Sequence, residues 1–268
     1  MKNKPRNRGN APNSKKFTDN PKNRSFQRIE EGFATLWGLH AVSAALNNPD
    51  RTIKKAVLSR NAAIRIGLDP DNLQTNIQLA EPKEIDAALP DGAVHQGAML
   101  TADFLEPLEL ESAIEDGGPI VILDQVTDPM NVGAILRSAA AFGVRTVVMQ
   151  TRKSPPFSGV LAKAAVGAVE TVREIRVVNI ARTIDALCQA HWNVIGLSGD
   201  SEDDIATAFN TNAPIAIVLG AEGSGLRPAV AKACTQLARI PISGAMESLN
   251  VSNAAAIALY EIGRASKR

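Results

Sequence analysis

The sequence predicts an α/β protein in which a mostly parallel sheet follows a smaller α/β unit. Three observations predict it. Short apolar runs such as Ile120-Val-Ile-Leu123 lack polar alternation, as strands buried on both faces require. From Pro119 onward these runs alternate with helical periodicity, the βαβ pattern of a parallel sheet with helices on both faces. Two late stretches each pass from an apolar strand through a small polar turn into a helix. Open sheets leave backbone N–H and C=O groups available to a ligand at such turns.

Taken in order, residues 1–30 hold nine Lys or Arg, two acids and almost no apolar residues. They are expected to form a disordered basic tail, because they cannot bury enough surface to offset ordering entropy. Order is expected from about Phe33. A helix is expected over 34–47, where Leu36, Leu39, Val42 and Leu46 recur at spacings of three and four. Strands at 53–58, 76–80 and 92–99, with helices near 60–66 and 83–88, complete a small unit over 31–105. Residues 106–118, with five acids, Pro107 and Gly117-Gly118, have the composition of a linker. The second unit spans 119–268. Its first strand, 120–123, leads to a helix from about Val132 to Phe142 that Gly143 stops. Strands at 146–149, 174–178, 193–198, 215–219 and 237–242 then alternate with helices at 160–169, 180–190, 226–233 and 249–265.

Composition narrows the function. Aromatic residues are 4% against 45% hydrophobic, so the core is aliphatic. Cys188 and Cys234 lie far apart among apolar neighbours and read as reduced thiols, with neither a disulfide nor a metal site expected. No apolar run is long enough to span a bilayer, and the N-terminus lacks a secretion signal, so a cytoplasmic location is expected. The net charge of +1 divides unevenly: +7 over 1–30, −8 over 31–117 and +2 over 118–268. A basic tail on a near-neutral body suits either nucleic acid or a solubilising extension.

Three segments carry residue types suited to chemistry. In Asp124–Ala139, a strand end and a Pro-containing turn precede Asn131, expected to open the helix. Gly133 admits a neighbouring backbone, and Arg137 follows Asn131 by six residues. In Gly220-Ala-Glu-Gly-Ser-Gly225, three glycines follow a buried strand. Their spacing at positions one, four and six is not the dinucleotide fingerprint, which disfavours a nicotinamide dehydrogenase. Glu222 there is either an acid favoured by the adjacent helix dipole or a functional group. In Glu247-Ser-Leu-Asn-Val-Ser-Asn253, Ser248 is positioned to cap a helix beginning at Leu249, but capping alone does not require two Ser and two Asn together.

In this order the three segments resemble the SpoU (TrmH-like) family of RNA ribose 2′-O-methyltransferases. Asn131, Gly133 and Arg137 match its Asn-x-Gly-x-x-x-Arg motif, and Gly220, Glu222 and Gly225 its Gly-x-Glu-x-x-Gly motif. Ile240-Pro-Ile242 with Ser248-Leu-Asn-Val-Ser252 match the third. The resemblance covers 119–265 well. It reaches less specifically over 34–105, where Leu36–His40 and His95-Gln-Gly97 resemble the family's small L30e-like RNA-binding domain, as in members that methylate a guanosine of 23S rRNA. The resemblance implies a SPOUT-type parallel sheet with a C-terminal trefoil knot, a homodimer with the site completed across the interface, and S-adenosylmethionine as methyl donor. It places the donor on Leu219, Gly220, Ile240, Ile242 and Leu249, and catalysis on Asn131, Arg137, Glu222, Ser248 and Asn250. It makes Arg137 either a proton acceptor or an organiser of the RNA phosphate. A guanidinium stays protonated in proteins, which favours the second. Glu222 would orient Arg137 or fix its own loop. Two rivals remain: a tRNA methylase, distinguished by mapping the modified nucleotide, and a catalytically silent RNA-binding or assembly protein, distinguished by S-adenosylmethionine uptake.

Overall fold

A computed structural model describes residues 32–243 and 247–265. The expected disordered tail over 1–30 lies outside the described residues, as do residues 244–246 between the two halves of the third motif.

The small unit opens with strand β1 (Phe33–Trp37) and helix α1 (Leu39–Asn47). The expected single helix over 34–47 is therefore divided. Gly38 between them has φ 94°, outside the helical range, and its N–H donates to the Ala98 carbonyl. Strand β2 (Ile53–Leu58), helix α2 (Arg60–Arg65), strand β3 (Ile77–Leu79) and helix α3 (Pro82–Ala87) follow close to their expected places. The strand expected over 92–99 begins only at its end: β4 is Ala98–Asp103. Gln96 and Gly97 take positive φ, and the Gly97 N–H donates to His95 Nδ1, so the preceding residues form a tight turn. β4 lies between β1 and β2, antiparallel to both, and β3 extends β2 in parallel to give the order β1-β4-β2-β3.

The acid-rich segment 106–118 holds a helix that was not expected, α4 (Leu110–Asp116), ended by Gly117 in the left-handed region. After it come β5 (Ile120–Asp124), α5 (Pro129–Ala141), β6 (Thr146–Gln150), α6 (Gly159–Ala165), a 3-10 turn (Ala168–Glu170), β7 (Arg173–Val177) and α7 (Ile180–Gln189). β8 (Asn193–Leu197), a short α8 (Ile205–Ala208) absent from the expectation, β9 (Ile215–Gly220), α9 (Pro228–Ala233), β10 (Gln236–Ala238) and α10 (Val251–Ala265) complete the chain. The strand expected over 237–242 stops at Ala238, short of Pro241, which has no N–H for a ladder.

These six strands form one parallel sheet in the order β10-β8-β9-β5-β6-β7. The chain winds outward from β5 through β6 to β7, then returns to the other side of β5. The strand order thus reverses between β5 and β9, and open α/β sheets bind ligands outside the carboxyl ends of strands at such a reversal. Asp124 and Gly220 are register partners at those two ends.

The two sheets meet at α6. The Ser158 hydroxyl accepts from the Thr35 N–H at 3.0 Å and donates to the Thr35 carbonyl at 3.2 Å, satisfying the outer edge of β1. Gln96 Oε1 accepts from both Leu39 N and Lys163 Nζ at 3.2 Å. Arg51 grips Glu170 through Nε and Nη2 at 3.0 and 2.8 Å, with only 1% and 3% of their side chains exposed. One contiguous apolar core runs through both units, from Leu36 and Leu100 to Leu136, Leu161 and Leu259.

Candidate active site

The site grows out of three turns at the carboxyl end of the parallel sheet. The first follows β5. Asp128, not Asn131, caps α5, its carboxylate accepting from Met130 N, and Pro129 takes the first helical position, where an N–H would be unpaired anyway. Asn131 is thereby released from capping and sits in the first helical turn. Gly133 lies against α6: a Cβ there would stand 2.5 Å from the Leu161 carbonyl oxygen and 2.6 Å from Ala164 Cβ. The close backbone approach expected at Gly133 is thus to α6.

The second turn follows β9. A Cβ on Gly220 would collide with the backbone of Gly225 and Leu226, so only glycine lets the turn fold back upon itself. The Gly225 N–H closes it by donating to the Ala221 carbonyl at 2.9 Å. Gly223 and Gly225 have φ 79° and 63°. Glu222 is exposed at its tip.

The third turn precedes α10. Asn250, rather than Ser248, caps this helix: its Oδ1 accepts from Ser252 N at 2.9 Å and Asn253 N at 3.4 Å. The helix begins at Val251, two residues later than expected.

The three turns are joined by their side chains. Glu222 Oε1 accepts from Asn131 Nδ2 at 3.2 Å and from Asn250 Nδ2 at 2.5 Å, while Asn250 Nδ2 also reaches Asn131 Oδ1 at 3.1 Å. Among the described residues Glu222 is therefore bonded to two asparagines and to no arginine. Beside the network lies a cavity of about 840 Å³. Leu219, Gly220, Ile240, Ile242 and Leu249 all line it, together with Glu222, Ser248 and Asn250. Asn131 touches the network without lining the cavity, and neither does Arg137. Arg137 is exposed on α5, roughly 9 Å along the axis from Asn131 at 1.5 Å per residue.

Sequence reasoning missed part of the wall. Leu197-Ser-Gly-Asp200 after β8 and Arg239 after β10 also line the cavity. Another strand end followed by small polar residues was the available signal, and it was hidden because strand order cannot be read along the chain. Asp124 was missed too: it is fully buried and holds Arg227, 103 residues away.

The cavity suits a donor with an adenosine end and a methionine end. Leu219, Ile240, Ile242 and Leu249 offer apolar contact for a base, while the glycine turn offers backbone groups unobstructed by side chains.

Comparison with known proteins agrees with this geometry. The SpoU rRNA Methylase family matches residues 118–260, and the family described as RNA 2′-O ribose methyltransferase substrate binding matches 35–108. The 23S rRNA (guanosine-2′-O-)-methyltransferase RlmB of Haemophilus ducreyi is 38% identical over 240 residues, covering 85% of this chain and 96% of that protein. A solved putative RNA methyltransferase of the TrmH family from Porphyromonas gingivalis superposes with a TM-score of 0.71 at 28% identity, covering 88% of this chain and 92% of the other. The SpoU methyltransferase AviRb from Streptomyces viridochromogenes, solved with AdoMet, shares the fold at a TM-score of 0.72 and 20% identity, over 93% and 95% of the two chains. With residues of all three motifs joined in one hydrogen-bond network beside the cavity and a family match across more than half its length, the chain belongs to the SpoU rRNA methylase family.

Proposed function

We propose that this protein transfers a methyl group from S-adenosylmethionine to the ribose 2′-hydroxyl of a guanosine in 23S rRNA. The observation that carries the reading is the Asn131–Glu222–Asn250 network, which ties the three motifs together at the rim of the cavity. When bound, S-adenosylmethionine supplies an electrophilic methyl group on a positively charged sulfur. Leu219, Gly220, Ile240, Ile242 and Leu249 hold the donor, and the protein's remaining task is to place the nucleophile.

Glu222 fixes the two asparagine amides, so Asn131 and Asn250 present defined polar edges beside the cavity. Ser248 adds a hydroxyl on the same wall. Arg137 forms no ion pair or hydrogen bond with another described residue, which leaves its five donors for an RNA phosphate. Anchoring the phosphate beside the reacting ribose orients the 2′-hydroxyl, whose proton passes to solvent. Residues 31–105 would serve as the RNA substrate-binding domain, 106–118 as the connection and 119–268 as the methyltransferase domain, acting in the cytoplasm.

Two features of the family are taken over as part of the reading. The chain leaves β10 at one side of β9 and returns as α10, packed against β9 and against α5 on the other side, a path that suits a trefoil knot. Met130, Phe142, Ile257 and Tyr260 expose apolar surface on or beside α5 and α10. Phe142 and Tyr260 meet edge to face with ring centres 6.0 Å apart. A homodimer would cover this patch.

The test is Arg137→Ala, assayed by methyl transfer to deproteinised ribosomal RNA with donor binding followed by calorimetry. Turnover should fall by about 100-fold or more while donor affinity holds. Undiminished turnover with intact donor binding would refute the assignment. Comparing 2′-O-methyl maps of RNA from cells with and without the protein identifies the nucleotide and separates ribosomal from transfer RNA.

A further inference from the structure

We infer that Asp124 and Arg227 form a clamp that presets the Gly220–Leu226 turn in its donor-receiving shape, making both positioning residues for the cavity. The inference rests on reading the cavity as the methyl-donor site. Neither residue lines the cavity.

Asp124 ends β5 and is fully buried, an unusual place for a carboxylate. Both its oxygens are committed to one residue. Oδ2 accepts from the Arg227 backbone N–H at 3.0 Å, and Oδ1 accepts from Arg227 Nε at 2.8 Å and lies 2.6 Å from Nη2. Arg227 is the residue at which the glycine turn ends and α9 begins. The turn's entry is Gly220, the register partner of Asp124 on the adjacent strand. One carboxylate therefore holds the exit of the loop to its entry.

The other restraints on the turn are the Ala221–Gly225 hydrogen bond and the two asparagine amides on Glu222, and none of these reaches its exit at Arg227. Glu222, Gly223, Ser224 and Gly225 are exposed, and two of its glycines have positive φ. Left to themselves such residues sample many conformations. Gly220 can accept the Gly225 and Leu226 backbone only while the far end is drawn inward, and the clamp draws it. A binding wall fixed in advance spares the donor the entropy of ordering it, so the clamp's effect belongs in affinity. An arginine is needed because two nitrogens of its planar fork meet on the one oxygen Oδ1 while its own backbone N–H holds Oδ2, whereas a lysine presents a single point charge.

The experiment compares wild type with Arg227→Lys and Asp124→Asn. Binding of S-adenosylmethionine and S-adenosylhomocysteine is measured by calorimetry well below each variant's melting temperature. We expect Arg227→Lys to stay folded, to bind both ligands about tenfold more weakly, and to keep kcat within about twofold at saturating donor. Asp124→Asn should weaken binding at least as much. A purely structural pair would lower the melting temperature and leave affinity unchanged, and that result would overturn the inference. Hydrogen exchange on the donor-free wild type gives a reading that needs no variant: the Arg227 amide, bonded to Asp124, should be protected before any ligand is added. Exchange as fast as in an exposed loop would equally overturn it. A wild type that takes up no donor would remove the proposed function itself, and this inference with it.

Discussion

At the scale of single residues, polar side chains here have divided duties. Asn250 caps α10 with its oxygen and bonds Glu222 with its nitrogen. Asn250→Ala should therefore cost about 1 kcal/mol of stability for the lost cap, by urea denaturation, and reduce methyl transfer by more than that change explains. Cys234 gives a different prediction. Burial, with smaller contributions from the nearby Cys188 and Asp124 charges, pushes its thiol up to about 12. At about pH 8.5 only roughly one molecule in three thousand carries the reactive thiolate. Iodoacetamide should spare Cys234 in the native protein and label it once the chain is unfolded. Above the ordinary thiol range the unfolded chain sheds this proton while the folded protein keeps it. That contribution to stability should therefore decline as pH rises toward 12, visible as a falling urea midpoint. The motif residues were legible because their side chains must be of particular types. Asp124 and Arg227 were not, since an ion pair between a buried carboxylate and a half-exposed arginine 103 residues away leaves no mark on local sequence.

At the scale of elements, hydrophobic rhythm located the central strands closely: β5, β6 and β9 are buried on both faces, and their apolar runs have few other uses. It failed where the pattern suited two answers. Leu36 and Leu39 are spaced as on a helix, but Leu36 belongs to β1, whose exposure alternates against β4, and Gly38 separates the two elements. The caps of α5 and α10 fall on Asp128 and Asn250 in place of Asn131 and Ser248, and the Asn131 and Asn250 amide nitrogens both turn to Glu222 of another element, a contact that local sequence does not carry. The packing of α5 on α6 supplies a prediction at this scale. Gly133→Ala would thrust a methyl group into the Leu161 carbonyl, so the helices must separate. We expect a loss of about 1–3 kcal/mol in urea denaturation. Methyl transfer should also drop, since Asn131 lies half a turn away.

At the scale of the whole molecule, the boundary suggested by composition near 106–118 is not a gap in the packing. Apolar residues of both sheets share one core, and Arg51 with Glu170 forms an ion pair sealed from water at the seam. Arg51→Ala would leave the Glu170 carboxylate with, among the described residues, only the Asn48 amide bonded to it. A loss of about 3–5 kcal/mol is expected by chemical denaturation, and unfolding should remain a single transition if the units act together. None of this seam was legible beforehand, because its contacts join residues some 120 positions apart through side chains common on any surface.

Helix α6 touches β1 through Ser158 on one flank and Gly133 of α5 on the other. It is thus the strut between the part that would grip a folded ribonucleic acid and the helix that bears Asn131. If the small sheet grips RNA as proposed, a displacement of that sheet would reach α5 through α6. On the proposed reading, the spacing between the RNA grip and the donor cavity is thus set by one seven-residue helix.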